Sequence, residues 1–466
     1  MTADKHSSAA RAAPPSRRQK GEAHPWPVAV PTRAELASAF AQALDLAEGH
    51  QPGHAARVCY IALNLAQALG LAAKEQRATC YAAFLHDAGA VAASAELCRL
   101  MNVSEETIFN RSPEMSPQEL ALEIAPANAE AVVKVLRAHP EGSAQVARDL
   151  SCDATVQEAI VTHHERWDGH GYPQALSGDA IPIVGRLVAA ADAIEFLISG
   201  DGSALVARRN LLATLSEHAG NALDPELVQQ MRTLARSDAF WLGLYNDDLC
   251  RAVATSCPEE PADIEQSLAY LHAFANVFAG LADSKGDNTE HHSQRTADVA
   301  DRLAEALGFG EGRREMLRVA TLLHNVGLLG VPARVIAKPD ILSLTEMEAM
   351  RKHPTYSQMV LEALPGLEEA ARWVGAHHER PDGKGYPEMW DEELIPLEAR
   401  IISVADTYVA LTSTRPYRRA LSHEDAQQVL EGGAGSQLDR KLVKLLCSLL
   451  PEATSSRTAR RSQRRR

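Results

Sequence analysis

Apolar residues recur every three or four positions in AARVCYIALNLAQALGL (55–71) and in RTADVADRLAEALGF (295–309), the spacing of a helix that buries one face. Each stretch runs into a glycine, Gly70 or Gly308, as helix C-termini often do. Two more helix-like runs, RLVAAADAIEFL (186–197) and RIISVADTYVAL (400–411), carry an aspartate among apolar side chains, Asp192 and Asp406. A carboxylate is expensive to bury in such a helix without a partner or a metal. The pattern predicts an all-α fold, and the resemblance between the first two stretches calls for a search for an internal repeat.

That search finds HHERWDGHGYP at 163–173 and HHERPDGKGYP at 377–387, which differ at two positions and lie 214 residues apart. His139-Pro140 and His353-Pro354 share this offset, as do Asp192 and Asp406. Upstream, His54 pairs with His292 and His86 with His324 at an offset of 238, so the first copy carries about 24 extra residues, placed at 101–125 near Pro113, Pro117 and Pro126. Ordered histidines and aspartates at two constant offsets exclude coincidence. The expectation is two tandem helical domains, 31–245 and 262–450, joined by a connector at 246–261 that runs into the acidic, proline-containing CPEEPAD (257–263).

Composition supports helices over strands: 45% of residues are hydrophobic but only 5% aromatic, and Ala and Leu abound. A chain of 466 residues has ample length for two large cores. A net charge of −14 argues against a broad surface for extended nucleic acid, whereas a small anion needs only a local cation or metal. The seven cysteines, among them Cys59, Cys80, Cys98, Cys152 and Cys447, form no C-x-x-C pair and read as reduced thiols. No uncharged apolar run approaches the roughly 18 residues of a membrane span, and no hydrophobic signal core opens the chain, so a cytoplasmic location is expected. The ends, 1–30 and the basic 451–466 with its RTARRSQRRR, read as disordered tails.

The first copy supplies His54, His86, Asp87, His139, His163, His164 and Asp192. Imidazoles and carboxylates suit iron, manganese or zinc, and a carboxylate can bridge two cations where one imidazole cannot. Adjacent helical residues diverge by about 100°, so the pairs His86-Asp87 and His163-His164 suit two neighbouring ions rather than one. Two divalent ions about 3.5–4 Å apart would activate water for in-line attack on a phosphoryl group. His139 before a proline also reads as a helix boundary or turn. The glycine-punctuated DGHGYP (168–173) reads either as a loop that lines a substrate pocket or as a structural turn whose tyrosine packs on the core.

These segments resemble the HD-GYP family, a subgroup of the HD phosphohydrolase superfamily, over both halves of the chain. The resemblance implies an all-α fold, a centre of two or three iron or manganese ions, and hydrolysis of cyclic di-GMP to pGpG or GMP. By motif it makes His54, His86, Asp87, His139, His163, His164 and Asp192 the metal ligands, with Asp87 as bridge and Asp87 and His86 as catalytic residues. Substrate contacts are expected from Arg166, Gly171, Tyr172 and Pro173. Signalling proteins are candidate partners.

The departures carry information. Ala90 stands where the family's HDxGK places a lysine, and His50 stands where three-metal members place an acidic residue, with Glu48 two positions earlier. The second copy reads His324-Asn325, with Leu328 at the lysine position. A neutral amide cannot bridge cations, so His292, His324, His353, His377, His378 and Asp406 are expected to form a residual site. This copy keeps TSTRPYR (412–418) and VPARVIAKPDILSLTEMEAMRKHP (331–354), both eroded in the first. Catalysis is expected in the first copy, with the second structural or regulatory. The alternative is a non-catalytic module that binds a cyclic dinucleotide or a protein.

Overall fold

A computed structural model of the chain describes residues 29–50, 53–109, 115–199, 203–285, 291–414 and 419–450. The expected tails lie outside them except for residues 29 and 30, as do positions 415–418 of TSTRPYR. The described residues are predominantly helical and contain no named strand, which bears out the all-α expectation. The helix His54–Ala68 stops just before Gly70, whose φ is 69°, and His292–Ala306 stops just before Gly308, at 78°.

The first helix, Arg33–Glu48, opens with a capping box in which the Glu35 N–H donates to Thr32 Oγ1 at 3.2 Å and the Thr32 N–H to Glu35 Oε2 at 2.8 Å. It is buried on almost every face, and its alanines at 34, 37, 39, 41, 43 and 47 let neighbours approach closely all round. One of those neighbours is the corresponding helix of the second copy, Ile264–Lys285: Phe40 stacks on Phe274 and Phe278 with ring centroids 5.7 and 4.3 Å apart. The first helix also packs on the second copy's turn Val326–Gly330 and helix His353–Glu362, while Ile264–Lys285 packs on the first copy's helix Ala90–Met101. Each copy's leading helix therefore packs on the element that follows the other copy's His86-Asp87 or His324-Asn325 pair. A single hydrophobic core runs through both copies.

A buried cation crosses this interface. Lys285 is 3% exposed; it donates to the Leu329 carbonyl and lies 3.7 Å from Glu105, which accepts the Ala333 N–H at 2.7 Å. Burial holds the Lys285 ammonium below its usual range against the pull of Glu105.

The stretch 246–261, expected as a connector, contains the helix Leu249–Ser256, which packs on both Arg33–Glu48 and His54–Ala68 through Leu249, Val253 and Ala254. Its apolar face gives it a place in the core, and only the residues after it link the copies. Those are pinned to the first copy by Tyr81 with Glu259 and by Arg77 with Glu260 at 2.6 Å. The extra segment near 101–125 forms the short helices Glu105–Phe109 and Pro117–Ile124, with a satellite core of Leu97, Met101, Leu120, Val132 and Leu136.

Candidate metal centre

Helix ends position most of the first-copy histidines. The last carbonyls of a helix lack intrahelical donors. His86 follows the helix Ala73–Leu85 and gives its Nδ1–H to the Ala83 carbonyl at 2.8 Å; His163 follows Ala154–Thr162 and donates likewise to Ile160. His139 reaches the same geometry inside a helix. Pro140, which lacks an N–H, sits within Ala129–Asp149 and frees the carbonyl of Leu136, four residues back; His139 Nδ1 takes it at 2.9 Å. The His-Pro pair is thus neither a boundary nor a turn in this copy, because the histidine itself fills the hydrogen bond that proline removes. In every case Nδ1 is spent on the backbone, which turns Nε2 toward the interior; that of His139 lies 3.1 Å from His164 Nε2.

His54, the first residue of its helix, is held differently. Asp45 accepts the N–H groups of Gly53 at 2.8 Å and Ala55 at 3.0 Å, and Gly53 takes the left-handed conformation (φ 86°) that delivers the chain into the helix. His54 Nδ1 bonds Glu195 Oε2 at 2.8 Å, and Glu195 Oε1 accepts from Arg57 Nε at 2.7 Å. Glu195 escaped the sequence reading, although it lies one turn beyond Asp192 on the same helix. A carboxylate behind a histidine is the usual support for a metal-ligating imidazole.

These groups converge. His54, His86 and Asp192 offer ligand atoms within 4.8 Å of one another, and so do Asp87, His139, His163 and His164. Asp87 stands between the sets: Oδ2 is 3.0 Å from His86 Nε2, and Oδ1 is 3.3 Å from His139 Nε2 and 3.6 Å from His163 Nε2. A third set, His50, His54 and Asp87, lies beside Glu48, whose buried Oε1 has no hydrogen bond. The residues fit divalent ions: Nε2 of His54, His86 and His163 are buried without a hydrogen-bond partner, an arrangement a cation would satisfy.

The electrostatics agree. Burial opposes charge on Asp87, yet His86, His139 and His163 around it hold its carboxyl well below the usual range. Burial works against protonation of His54 and His86 too, but Glu195 raises His54 to about 9 and Asp87 raises His86 to about 10. Burial and the neighbouring His163 and His139 keep His164 well below its ordinary value. Burial and Asp87 push Glu48 well above the usual carboxylate range.

The DGHGYP segment folds back as a wall of the site. A Cβ on Gly171 would collide with the backbone at Arg166 and Glu165. Tyr172 is buried, with its ring stacked on His164 at 4.7 Å, while Arg137 donates to the Pro173 carbonyl at 3.0 Å. Arg166 forks onto Asp168 at 2.7 and 3.1 Å. Of the four expected substrate contacts, Arg166 and Gly171 help build the turn, and Tyr172 places its ring against His164 at the edge of the centre.

The second copy repeats the scaffold. His324, His353 and His377 donate Nδ1–H to the carbonyls of Thr321, Met350 and Val374. Here the His-Pro pair does open a helix: Met350 ends the helix Leu344–Met350, and Pro354 lies in the first turn of His353–Glu362. Its ligands form two separate triads, His292-His324-Asp406 and His353-His377-His378, with Asn325 in place of the joining carboxylate. Val409 stands where the repeat puts Glu195, and His292 Nδ1 is buried without a partner. Both lysine positions are apolar and buried: Ala90 is fully covered, and Leu328 packs with Val331 and Val335.

Two all-helical modules, each closing imidazoles and acidic side chains around a common point, define a tandem of HD-type metal domains. The HD domain family model matches residues 38–227 and 276–442, and the chain belongs to that family. Over 444 residues it is 29% identical to the 3'3'-cGAMP-specific phosphodiesterase 3 of Vibrio cholerae serotype O1, covering 90% of this chain and 95% of that one. It is 27% identical over 399 residues to the 3'3'-cGAMP-specific phosphodiesterase 1 of the same organism, covering 84% of this chain and 85% of the relative. A cyclic di-GMP phosphodiesterase of Thermotoga maritima is 32% identical over 187 residues, 40% of this chain and 51% of the relative. A crystal structure of a V. cholerae cyclic GMP-AMP specific phosphodiesterase superposes with a TM-score of 0.64 at 28% identity, over 91% of this chain and 99% of that one. The HD-GYP resemblance therefore holds, with a degenerate second copy. No helix among the described residues is long and apolar enough to cross a membrane.

Proposed function

We propose that the chain is a metal-dependent phosphodiesterase that opens a cyclic dinucleotide in its first copy, with 3'3'-cGAMP as the preferred substrate. The observation that carries the catalytic assignment is Asp87, one carboxylate within 3.0–3.6 Å of three histidines and shared between two ligand sets, where the second copy has Asn325. A pair of divalent ions, manganese or iron by its ligands, would supply Lewis acidity to the attacking water and to the phosphoryl oxygens. The protein's share is to fix the histidine rings through backbone carbonyls and Glu195, so that Nε2 faces the site, and to wall off the site with Tyr172. The preference for cGAMP over cyclic di-GMP rests on coverage: the relatives aligned along most of both chains bear the cGAMP name, while the Thermotoga cyclic di-GMP relative aligns over 40% of this one.

A groove of about 510 Å³ between the helices Ala90–Met101 and Ala129–Asp149 reaches Gly89 and His139 at the edge of the centre. It carries the exposed Lys134, a cation that answers for the missing HDxGK lysine in phosphate contact; the repeat places Glu348 there in the second copy. The test is hydrolysis of 3'3'-cGAMP, cyclic di-GMP and cyclic di-AMP by protein prepared without oxygen and supplied with manganese or iron, with products separated and identified. Turnover of cGAMP first among the three is expected; metal-loaded protein that hydrolyses none of them would sink the proposal and favour the binding-module alternative.

A further inference from the structure

The second copy keeps most of a metal site but lacks the group that lets two ions share it. His353, His377 and His378 offer three imidazole nitrogens within 4.8 Å of one another. Their approach is fixed: His353 Nδ1–H is spent on the Met350 carbonyl at 2.8 Å, His377 Nδ1–H on Val374, and the His378 ring stacks on Tyr386 at 4.8 Å. The Nε2 atoms of His353 and His377 are buried and have no hydrogen-bond partner. Buried polar atoms are rarely left so, and one cation would satisfy both together with His378.

The neighbouring triad also leaves one Nε2, that of His324, buried without a partner, but its first histidine is arranged otherwise. His292 already turns Nε2 onto Asp406 Oδ1 at 2.9 Å. Its Nδ1 has no partner because Val409 replaces the supporting glutamate, so nothing holds that ring ready for a ligand. Asn325 puts no negative charge between the triads, and two dications a few ångströms apart would repel with no anion between them.

We infer that the second copy is a mononuclear site in which His353, His377 and His378 hold one borderline cation, zinc(II) or its cobalt(II) surrogate, apart from the carboxylate-bridged pair of the first copy. Three neutral imidazoles without a carboxylate favour zinc or cobalt over manganese or magnesium, whereas the Asp87 and Asp192 oxygens of the first copy suit harder ions. Three protein ligands also leave a coordination position open, as in zinc sites that bind an exogenous group.

The test uses the full chain, stripped and reloaded with cobalt(II), then assayed for cobalt per chain and for the visible ligand-field absorption of the bound ion. His353→Gln and His377→Gln should each lower the content by about one cobalt per chain and remove one component of the spectrum. Asn325→Asp, which keeps the side-chain size and restores the carboxylate, should raise the content by about one. Wild-type cobalt content in both glutamine variants overturns the inference; should those variants fail to fold, an unchanged count in Asn325→Asp overturns it instead. The outcome is separable from the proposed activity. A chain that hydrolyses no cyclic dinucleotide yet loses one cobalt in His353→Gln sinks the proposed function and leaves this site standing.

Discussion

Replacing Asp87 by asparagine removes the carboxylate that stands between the two ligand sets of the first copy, 3.0 Å from His86 and 3.3 Å from His139, and makes that copy resemble the second. The substitution changes charge and hardly changes size, and the backbone bond from the Ala90 N–H to the Asp87 carbonyl at 2.8 Å remains. The ion-free protein should still fold, at a cost of about 3–5 kcal/mol, because the buried His86 imidazole loses the anion that holds its pKa at about 10. Metal binding is another matter. Without an anion between them, two dications repel, so the first copy should retain one ion or none. Losing the charge stabilisation that the second ion supplies removes several kcal/mol from the transition state; about 4 kcal/mol corresponds to roughly a thousandfold in rate. The assay is turnover of 3'3'-cGAMP under metal saturation, with metal per chain measured on the same samples and Asn325→Ala as control. Asp87→Asn should fall at least that far, and Asn325→Ala should stay within about twofold, since Asn325 lies in the second copy, away from the first copy's ligands. Turnover of Asp87→Asn within tenfold of wild type, or equal losses from the two changes, would refute the bridging argument.

Four further outcomes follow from the geometry. His54 and His86 stand at about 9 and 10 in the ion-free chain, so near neutral pH both are protonated and ion uptake should release about two protons, seen as a calorimetric enthalpy that changes with the buffer's ionisation heat; because both values are raised, that part of the ion-free stability is complete below the free-histidine range and disappears as pH rises through 9 to 10. Gly89→Ala should cost about 1–3 kcal/mol in denaturant unfolding and weaken metal retention, because its Cβ would strike the His139 carbonyl and the Ser143 backbone beside Asp87. Tyr172→Phe should leave stability within about 0.5 kcal/mol, since the buried ring does the packing, whereas Tyr172→Ala should lose about 3–5 kcal/mol and free His164. Lys134→Ala should raise KM about tenfold, the worth of one charge-assisted hydrogen bond, with kcat unchanged and Lys134→Arg restoring it; an unmoved KM removes the groove from substrate binding.

The ligands were legible because histidine and aspartate are chemically conspicuous and recur at fixed offsets, 214 and 238, that packing noise does not imitate. Their supports were less so. Glu195 sits 141 positions from the histidine it braces, and nothing local marks the pairing. The role of Pro140 needed the helix to continue through it, against the usual reading of proline as a stop. The helix Leu249–Ser256 was obscured by the proline and acidic residues that follow it. Arg166 and Gly171 also shape the turn that carries them, a role set by backbone contacts that the sequence does not display.

Taken alone, the sequence determined that the chain is helical, that its fold is duplicated, that each half gathers imidazoles and carboxylates, and that only the first half keeps Asp87, since periodicity, repetition and residue type are properties of short segments. Only the tertiary structure decided that Asp87 stands between two ligand sets, that the second copy's ligands divide into separate triads, and that the leading helices of the two copies pack on each other. Those arrangements depend on how distant helices share one apolar core, and the free energy of burying that core is a property of the whole chain rather than of any stretch of it.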